Sequence, residues 1–406
     1  MAGNYEVVRQ EVTGDALEIL SNNCVVPAFI GRDKQRYFEG KVKIGDQLQI
    51  KRPIRREKSA SGQAFQGTGL VRVTVPMVIA FWVQQSFEFN DTEEAMFLDM
   101  ANFKEEYTRP CAVQMTNDID SLMLQYIAST TPAWVGTPGA PPTTLDTYNS
   151  AQTKLNQLLA PDMDRVVIWN SSYQQKVIGA GSTLFNPSDV IGKQYLNGKV
   201  GRYAGMDFMR DEQVPSATGG TYVTLGVVNG AGQEGTSILT NGWGSGTTSL
   251  VAGDRINFAG VYDVNGTNRQ SYPNALKGFQ LTSPVVDAAG ALTLQIYPAL
   301  IPTGPYQNCS NSPAAGAAIT MAGASGVLYQ QAIAMQKGAY TCAFIELQDP
   351  SEYGAKCVVM TDPDTKISMR MIWQWDSNAG VVRVRMDCIF GICAQYSDYE
   401  SVAILG

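Results

Sequence analysis

The side chains that could carry chemistry in this 406-residue chain are few, and the sequence contains no histidine. This absence excludes Ser-His-Asp and Cys-His catalysis and removes the imidazole ligands that zinc and haem sites commonly use. Seven cysteines are scattered without a C-x-x-C pair, and we interpret them as buried, reduced thiols. An enzyme could still use carboxylates or lysine, but these observations favour a protein that is not an enzyme and uses no cofactor or metal.

Two acidic pairs are the remaining candidates for acid–base chemistry or metal binding. Asp362-Pro-Asp364 resembles half of a calcium loop but lacks the alternating ligands and the terminal glutamate, which favours a surface turn. Asp118 and Asp120 lie on neighbouring turns of a predicted helix, and we interpret them as solvated or interface charges. No G-x-x-x-x-G-K-[ST] motif occurs, so no feature indicates nucleotide hydrolysis.

The densest basic cluster consists of Arg52, Arg55, Arg56 and Lys58, at the tip of a predicted hairpin. Two interpretations stay open for it, a solvated loop or charged contact with another subunit. Residues 1–58 hold eleven Lys/Arg against eight Asp/Glu, whereas the formal charge of the whole chain is −7. Because coating nucleic acid needs a dominant basic face, this balance argues against a general nucleic-acid coat, although the locally basic N-terminal region could meet an acidic partner.

The sequence shows neither a secretion signal nor a membrane span. Its first twenty residues lack a basic-then-apolar order and a small-residue cleavage site. It also contains no apolar run of about eighteen residues, the length needed to cross a bilayer. We therefore expect a protein that is made and used in a cytoplasm-like space and has no membrane partner.

The elements that would position the basic cluster are an N-terminal arm (1–44) and a long hairpin (45–90). Apolar and polar residues alternate over 48–50 and again over 70–75, on either side of a polar, glycine-containing tip. An isolated two-stranded hairpin is only marginally stable in water. We therefore expect the hairpin to lie on another part of the assembly, such as a neighbouring subunit.

A long amphipathic helix is predicted to follow within residues 91–130. Apolar or aromatic side chains recur every three or four positions from Met96 to Tyr126, which predicts a helix over 92–129 about 55 Å long. This exceeds the usual length in globular proteins and suggests a spine. Pro110 falls inside the helix and is the candidate hinge, because proline bends a helix interior.

The remainder of the chain reads as a mixed domain interrupted by a β insertion. Residues 131–212 contain a predicted helix over 145–159, a buried strand over 165–169 and a helix over 171–179. Residues 213–326 hold only seven charged side chains and 18 of the 39 glycines, with turn signals every eight to twelve residues. This pattern predicts a small all-β barrel or sandwich. Residues 327–406 resume the mixed domain, with a short helix over 327–335 and then strands.

This order of elements resembles the major capsid proteins of tailed double-stranded DNA bacteriophages. The ending is similar to the closing pattern of that family, with Arg385 and Asp387 in a strand, the pair Phe390-Gly391, and a last strand over 400–404. The insertion is similar in position and length to the extra domain of the podovirus coat subfamily, in which the segment 253–260, GDRINFAG, looks like a recurrent strand motif. The order of the parts supports the resemblance more than any single motif does.

The resemblance implies an α+β fold with an arm, an extended hairpin loop, a spine helix, and peripheral and axial domains. It further implies a major capsid protein that self-assembles into the hexamers and pentamers of an icosahedral shell around the double-stranded DNA genome. A procapsid would form with a scaffolding protein and a portal protein in the bacterial cytoplasm and would later expand, with a decoration protein as a further candidate partner. The basic tip would contact a neighbouring subunit, and the spine would bend or straighten at Pro110.

Two alternatives to a capsid protein remain, one with the same general fold and one from a different class. An encapsulin-like nanocompartment shares the general fold, but it does not account for the β insertion. A glycan-binding or carboxylate-dependent hydrolytic β-protein would explain the glycine-rich region if Trp243, Tyr262 and Tyr272 lay on one open face beside paired carboxylates, but the region holds only four acidic residues.

Overall fold

A computed structural model describes the chain in two compact units, over residues 2–33, 47–52, 72–90, 104–139, 141–181, 202–244, 248–287, 290–351, 354–363 and 365–406. Unit 1 comprises Met1–Ile50, Val75–Leu124 and Tyr340–Cys393. Unit 2 comprises Lys51–Thr74, Gln125–Ala339 and Ala394–Gly406. Both units combine helices with sheets, as expected for an α+β protein.

The described residues contain six α-helices and twenty-two strands, which we number in chain order. The helices are α1 Ala2–Asn23, α2 Val26–Phe29, α3 Arg109–Ser129, α4 Asp146–Gln157, α5 Ser171–Gly181 and α6 Ser397–Glu400. The strands are β1 Gln47–Lys51, β2 Thr74–Asn90, β3 Trp134–Gly136, β4 Arg165–Trp169, β5 Arg202–Tyr203, β6 Met206–Arg210, β7 Ala217–Thr218, β8 Val227–Val228, β9 Gly235–Asn241, β10 Thr248–Leu250, β11 Arg255–Val264, β12 Ser271–Leu281, β13 Val285–Asp287, β14 Ala291–Leu300, β15 Ile319–Met321, β16 Leu328–Tyr329, β17 Gln331–Gln336, β18 Tyr340–Ile345, β19 Lys356–Thr361, β20 Ser368–Asp376, β21 Val381–Ala394 and β22 Ser401–Leu405.

The predicted spine helix is present as α3, but its start differs from the prediction. The α-helix begins at Arg109, after a π-helical turn over Lys104–Thr108, and residues 91–103 lie outside the described ranges. Pro110 is the second residue of α3, so it lies where the helix changes from π to α geometry rather than in the middle of a regular α-helix. The irregular backbone lies just before the proline, in the π turn.

The sheet of unit 1 has the order β1-β2-β21-β20-β19, and β18 also pairs with β21. This confirms that β1 and β2 are paired strands of a hairpin, whereas its tip, 53–71, lies outside the described residues. β2 runs antiparallel to β21 over most of its length, with an irregularity between Ile79 and Phe81. A core of apolar residues from these strands, including Met77 and Ile389, lies beneath the sheet.

The mixed sheet of unit 2 has the order β3-β22-β17-β4-β6-β5. Its pairs β3–β22 and β4–β6 are parallel and the others are antiparallel. Helix α4 packs on the sheet through Tyr148, Ala151 and Leu155, in a core that includes Trp169. The short helix predicted over 327–335 is wrong, because this stretch forms β16 and the central strand β17. The run Gln331–Met335 is wholly buried, and periodicity alone cannot distinguish a fully buried strand from a buried helix.

The inserted region folds as a barrel-like sheet with the order β15-β11-β12-β14-β9-β8. The two edges meet, because Val227 and Ala318 form a bridge and the N–H of Ile319 donates to the carbonyl of Gly226 at 3.1 Å. The interior is apolar and includes Phe258 and Phe279, whose ring centroids are 5.4 Å apart. The predicted barrel is thus confirmed, while the division of the chain into six segments drawn from the sequence stays a prediction.

No helix among the described residues is long and apolar enough to span a bilayer.

Gly391 provides a test of the pairing between β2 and β21. A Cβ at this position would lie 2.6 Å from the carbonyl oxygen of Val78 and 2.6 Å from the Cδ1 atom of Ile79. We expect Gly391→Ala to lower the free energy of unfolding by about 1–3 kcal/mol in urea titration, because the strands must separate. Gly14→Ala is the matched control, since only the Cε atom of Met360 lies near, at 3.9 Å. An equally small effect of both substitutions would contradict the tight pairing.

Candidate anchoring site of the inserted barrel

The few charges of the inserted region are mostly buried. Of its seven charged side chains, four are at most 3% exposed: Asp254, Arg255, Asp263 and Lys277. Moving an unpaired charge into a protein interior is strongly unfavourable, so buried charges need hydrogen-bond or ionic partners. The partners of Arg255, Asp263 and Lys277 include residues outside the barrel. These three residues therefore form the site at which the barrel is anchored to the rest of unit 2.

Arg255, the first residue of β11, caps the C-terminal end of the spine helix. Its Nε donates to the carbonyl of Thr131 at 3.0 Å, and its Nη2 donates to the carbonyl of Ala128 at 3.0 Å. The last carbonyls of a helix lack intrahelical partners and carry partial negative charge. A buried guanidinium satisfies both requirements, since it supplies donors and positive charge at this end.

Neighbouring residues complete the contact around Arg255. Its Nη2 also donates to Oε1 of Gln331 at 3.1 Å, which ties the cap to the central strand β17. On β12, the Nε2 of Gln280 donates to the same Ala128 carbonyl at 2.9 Å. A Cβ on Gly278 would lie 2.6 Å from the carbonyl oxygen of Pro132, so only glycine fits this close approach. The barrel and the segment after α3 are in direct backbone contact.

Asp263 on β11 is the centre of a second anchor. Its carboxylate pairs with Lys154 of helix α4, whose Nζ also donates to the carbonyl of Leu276 at 3.0 Å. Its other oxygen lies 3.3 Å from the Nζ of Lys277 on β12. Burial opposes the charge of Lys277, yet its pKa is raised, because Asp263 and more weakly Tyr399 and Asp398 favour the ammonium. One buried carboxylate thus joins two barrel strands to α4.

Arg52 of the predicted basic cluster lies at the base of the hairpin and is largely buried. Its Nη1 donates to Oδ2 of Asp398 at 3.2 Å, and its Nη2 lies 3.2 Å from Oδ1. Its guanidinium lies over the ring of Tyr396, with 6.0 Å to the centroid. The structure therefore gives Arg52 an intramolecular partner, and its role in contacts between subunits stays a prediction.

The other residues proposed from the sequence are not part of this site. Arg55, Arg56 and Lys58 lie outside the described residues, so their contact with a neighbouring subunit stays a prediction. Pro110 lies in the first turn of α3, and its role as a hinge also stays a prediction. The sequence interpretation missed Arg255, Asp263 and Lys277. The signal that could have revealed them is their isolation in a stretch that otherwise avoids charge.

Two interpretations of individual residues need correction. Asp120 is neither solvated nor available for contact between subunits, because it is buried and accepts the backbone N–H groups of Val25 at 3.0 Å and Val26 at 3.2 Å. It stabilises the start of α2 in this way.

Trp243 is also fully buried, and its Nε1 donates to Oγ1 of Thr240 at 2.8 Å. It cannot belong to an open aromatic face that would bind a glycan.

All seven cysteines are free, and five of them are buried. Burial raises the pKa of Cys342 and of Cys309 to about 11, so neither thiol is a reactive thiolate at neutral pH. The five buried cysteines serve as small apolar side chains, as the sequence predicted, whereas Cys111 and Cys357 are only partly buried.

A family model described as "P22 coat protein - gene protein 5" matches residues 1–406 of the chain. The chain belongs to the P22 coat protein family. This family assignment confirms the bacteriophage coat identity that the sequence suggested, and it disfavours both the nanocompartment and the glycan-binding alternatives. The coat protein is thus a structural subunit of the virion shell, in which copies of the chain self-assemble, and not an enzyme.

Solved structures similar to the coat protein are distant in sequence. A chain titled "Mycobacterium phage Che8" is 11% identical with a TM-score of 0.48, and the match covers 94% of this chain and 90% of that chain. "Capsid of Ralstonia phage GP4" is 9% identical with a TM-score of 0.42, covering 93% and 88%. "Crystal structure of virus-like particle from Pyrococcus furiosus" is 8% identical with a TM-score of 0.42, covering 97% and 98%. No curated protein sequence matches the chain significantly.

The cap on the spine helix can be tested by substituting Arg255. We expect Arg255→Met to lower the free energy of unfolding of the coat protein by about 3 kcal/mol or more, because three buried acceptors lose a charged donor. Arg255→Lys should have an intermediate effect, since one ammonium cannot reproduce the planar fork. Urea titration followed by circular dichroism measures both.

The control for Arg255 is Lys176→Met, which removes an exposed cation from helix α5 of the same unit. This change should alter the free energy of unfolding by no more than about 0.5 kcal/mol. If Arg255→Met were as mild as Lys176→Met, the guanidinium would not anchor the barrel.

Proposed function

We propose that the coat protein builds an icosahedral shell of hexamers and pentamers around the double-stranded DNA genome of a tailed bacteriophage. Assembly would take place in the bacterial cytoplasm with a scaffolding protein and a portal protein, and the resulting procapsid would later expand. A decoration protein is a further candidate partner. The observation that carries this proposal is the match of the coat protein family model to residues 1–406.

The inserted barrel contributes to this function as a domain that buried polar contacts attach to the rest of unit 2. Buried contacts from Arg255 and Asp263 fasten it to the end of α3 and to α4. These contacts support a domain division in which residues 213–326 form an insertion between two parts of a peripheral and axial body. Arg255 of the barrel donates hydrogen bonds to carbonyls at the end of the spine helix. The rest of unit 2 therefore depends on the inserted barrel for part of its stability.

The start of the spine helix is the proposed site of change during expansion. The π turn Lys104–Thr108 and Pro110 adjoin there, so the regular ladder of i to i−4 hydrogen bonds is interrupted at this point. Such interruptions are where helices bend. Expansion would change the angle of the helix at this junction, while the hydrogen bonds between Arg255 and the C-terminal end of the helix would remain in place.

The acidic balance of the chain supports a shell wall that holds DNA loosely. With a formal charge of −7, the subunit lacks the excess of cations that tight phosphate binding requires. Weak, non-specific contact permits DNA to enter and leave the shell.

The proposal is tested by producing the full-length coat protein with and without a scaffolding protein from the same phage. We expect closed particles in negative-stain electron micrographs and fast sedimentation, at least when scaffold is present. A protein that stays monomeric under both conditions would overturn the proposal. As a second arm, Arg55→Ser/Arg56→Ser/Lys58→Ser should leave a folded subunit that assembles poorly, because the tip loses its charged contacts with the neighbouring copy.

The matched control for the tip is Lys176→Ser/Arg202→Ser/Arg210→Ser, which removes three exposed cations of unit 2. It should assemble like the unaltered protein. Equal assembly of the two triple variants would contradict the role of the tip and leave the shell function itself intact.

A further inference from the structure

Two arginines and a tryptophan surround one buried carboxylate on the sheet of unit 1. Asp387, in the middle of β21, is fully buried. Its Oδ2 accepts a hydrogen bond from Nη2 of Arg370 on β20 at 2.6 Å, and its Oδ1 accepts one from Nε of Arg385 at 2.6 Å. The Nε1 of Trp82 on β2 also donates to Oδ1, at 3.3 Å. We call these four residues the arginine–tryptophan cluster.

The cluster lies on the face of the sheet that the helices of unit 1 leave uncovered. On the inner face, the Nε2 of Gln85 donates to Oδ2 of Asp118 on α3 at 2.7 Å. Side chains alternate between the two faces along a strand, so Trp82 lies on the outer face, as does Arg385 opposite Ser86. Trp82 is 45% exposed and the side chain of Arg385 is 42% exposed. Both are therefore accessible in the single subunit.

Arg385 is held in place but keeps hydrogen-bonding capacity. Its guanidinium lies over the ring of Trp82, 5.5 Å from the centroid, while its Nε is bound to Asp387. Asp387 is shared with Arg370, whose Nη1 donates to the carbonyl of Gln348 at 2.8 Å. Within the described ranges, neither Nη group of Arg385 has an acceptor. A fixed guanidinium thus presents two nitrogen atoms for a further acceptor.

The charges around the cluster favour a single carboxylate over nucleic acid as this acceptor. Arg383, two positions before Arg385, is paired with Glu88 at 3.3 Å and with Asp376 at 2.9 Å. Glu88 is exposed, so it would repel a phosphate backbone that carries a charge on every nucleotide. One carboxylate, by contrast, fits the free fork of one guanidinium.

A second copy of the chain is the partner that fits this surface. An arginine that is already fixed loses little side-chain freedom on binding, and tryptophan and arginine are enriched among the residues that contribute most to contacts between proteins. Copies of the coat protein self-assemble, so their surfaces meet one another in the shell. Each copy carries 37 Asp and Glu residues and a formal charge of −7, which supplies the carboxylates.

We propose that the outer sheet face around Trp82 and Arg385 is a contact surface between copies, at which an acidic side chain of a second copy binds the Nη groups of Arg385. Asp387 is a positioning residue for this contact, because it holds the guanidiniums of Arg385 and Arg370. The inference rests on the proposed function only in that copies assemble, and it depends on neither the capsomer type nor expansion.

Hydroxyl-radical oxidation followed by mass spectrometry tests the surface in the unaltered protein. Trp82 should be oxidised at least fivefold more slowly in empty shells than in free subunits, because a second copy covers its ring. Trp375, which is 48% exposed and lies on the inner face of the same sheet, reports the radical dose. Equal oxidation of Trp82 in subunits and shells would overturn the proposal, as would protection that appears only in shells filled with DNA.

The contact of Arg385 is tested by substitution in the full-length protein. Arg385→Gln should fold as shown by circular dichroism and urea titration, because Asp387 keeps Arg370 and Trp82 as partners, yet it should yield at least tenfold fewer particles. Arg385→Lys should be intermediate, since an ammonium lacks the fork. The control is Arg210→Gln, which removes an exposed arginine of unit 2 and should assemble normally.

These outcomes separate the inference from the proposed function. A normal particle yield from Arg385→Gln would overturn the inference. So would unfolding of Arg385→Gln combined with an accessible Trp82 in shells of the unaltered protein, because the cluster would then serve folding alone. Absence of particles from the unaltered protein would overturn the proposed function and this inference together.

Discussion

A buried charge needs a partner, and this constraint determines how the inserted barrel is held. The barrel has an apolar interior and very few charges, yet Arg255, Asp263 and Lys277 are all buried on its body-facing side. Each of them is stabilised by groups that come from a helix end, from α4 or from the C-terminal turn. The barrel cannot be removed without leaving these groups unpaired, so it is a structural part of unit 2 rather than an appendage.

This arrangement separates two roles within the insertion. Strand pairing and the apolar core, with residues such as Phe258 and Trp243, make the barrel a folding unit. The polar anchors make its attachment specific, because a guanidinium fork and a carboxylate between two ammonium groups are satisfied only in narrow geometries. A shell subunit needs both properties, since its parts must keep their positions while the contacts between copies change.

Much of the fold could be predicted from the sequence. Helical periodicity predicted α4, recurring turn signals predicted the barrel, and a short apolar run between turn residues predicted the strand Arg165–Trp169. The buried run Gln331–Met335 of strand β17 was mistaken for part of a helix, because periodicity cannot distinguish a wholly buried strand from a buried helix. The anchoring site could not be predicted, since Arg255 and the carbonyl of Ala128 are 127 residues apart and no local pattern encodes their contact. The motif GDRINFAG marked the right segment without revealing that Arg255 caps a helix.

The inserted barrel caps the C-terminal end of the spine helix through Arg255. Native-state hydrogen exchange in the subunit tests this directly, by comparing the amides of residues 126–130 with those of helix α4 in the unaltered protein and in Arg255→Met. If the cap is real, the last turn of the spine helix should lose protection by about tenfold more than α4 does. Equal losses in the two helices, or no loss at residues 126–130, would contradict the account.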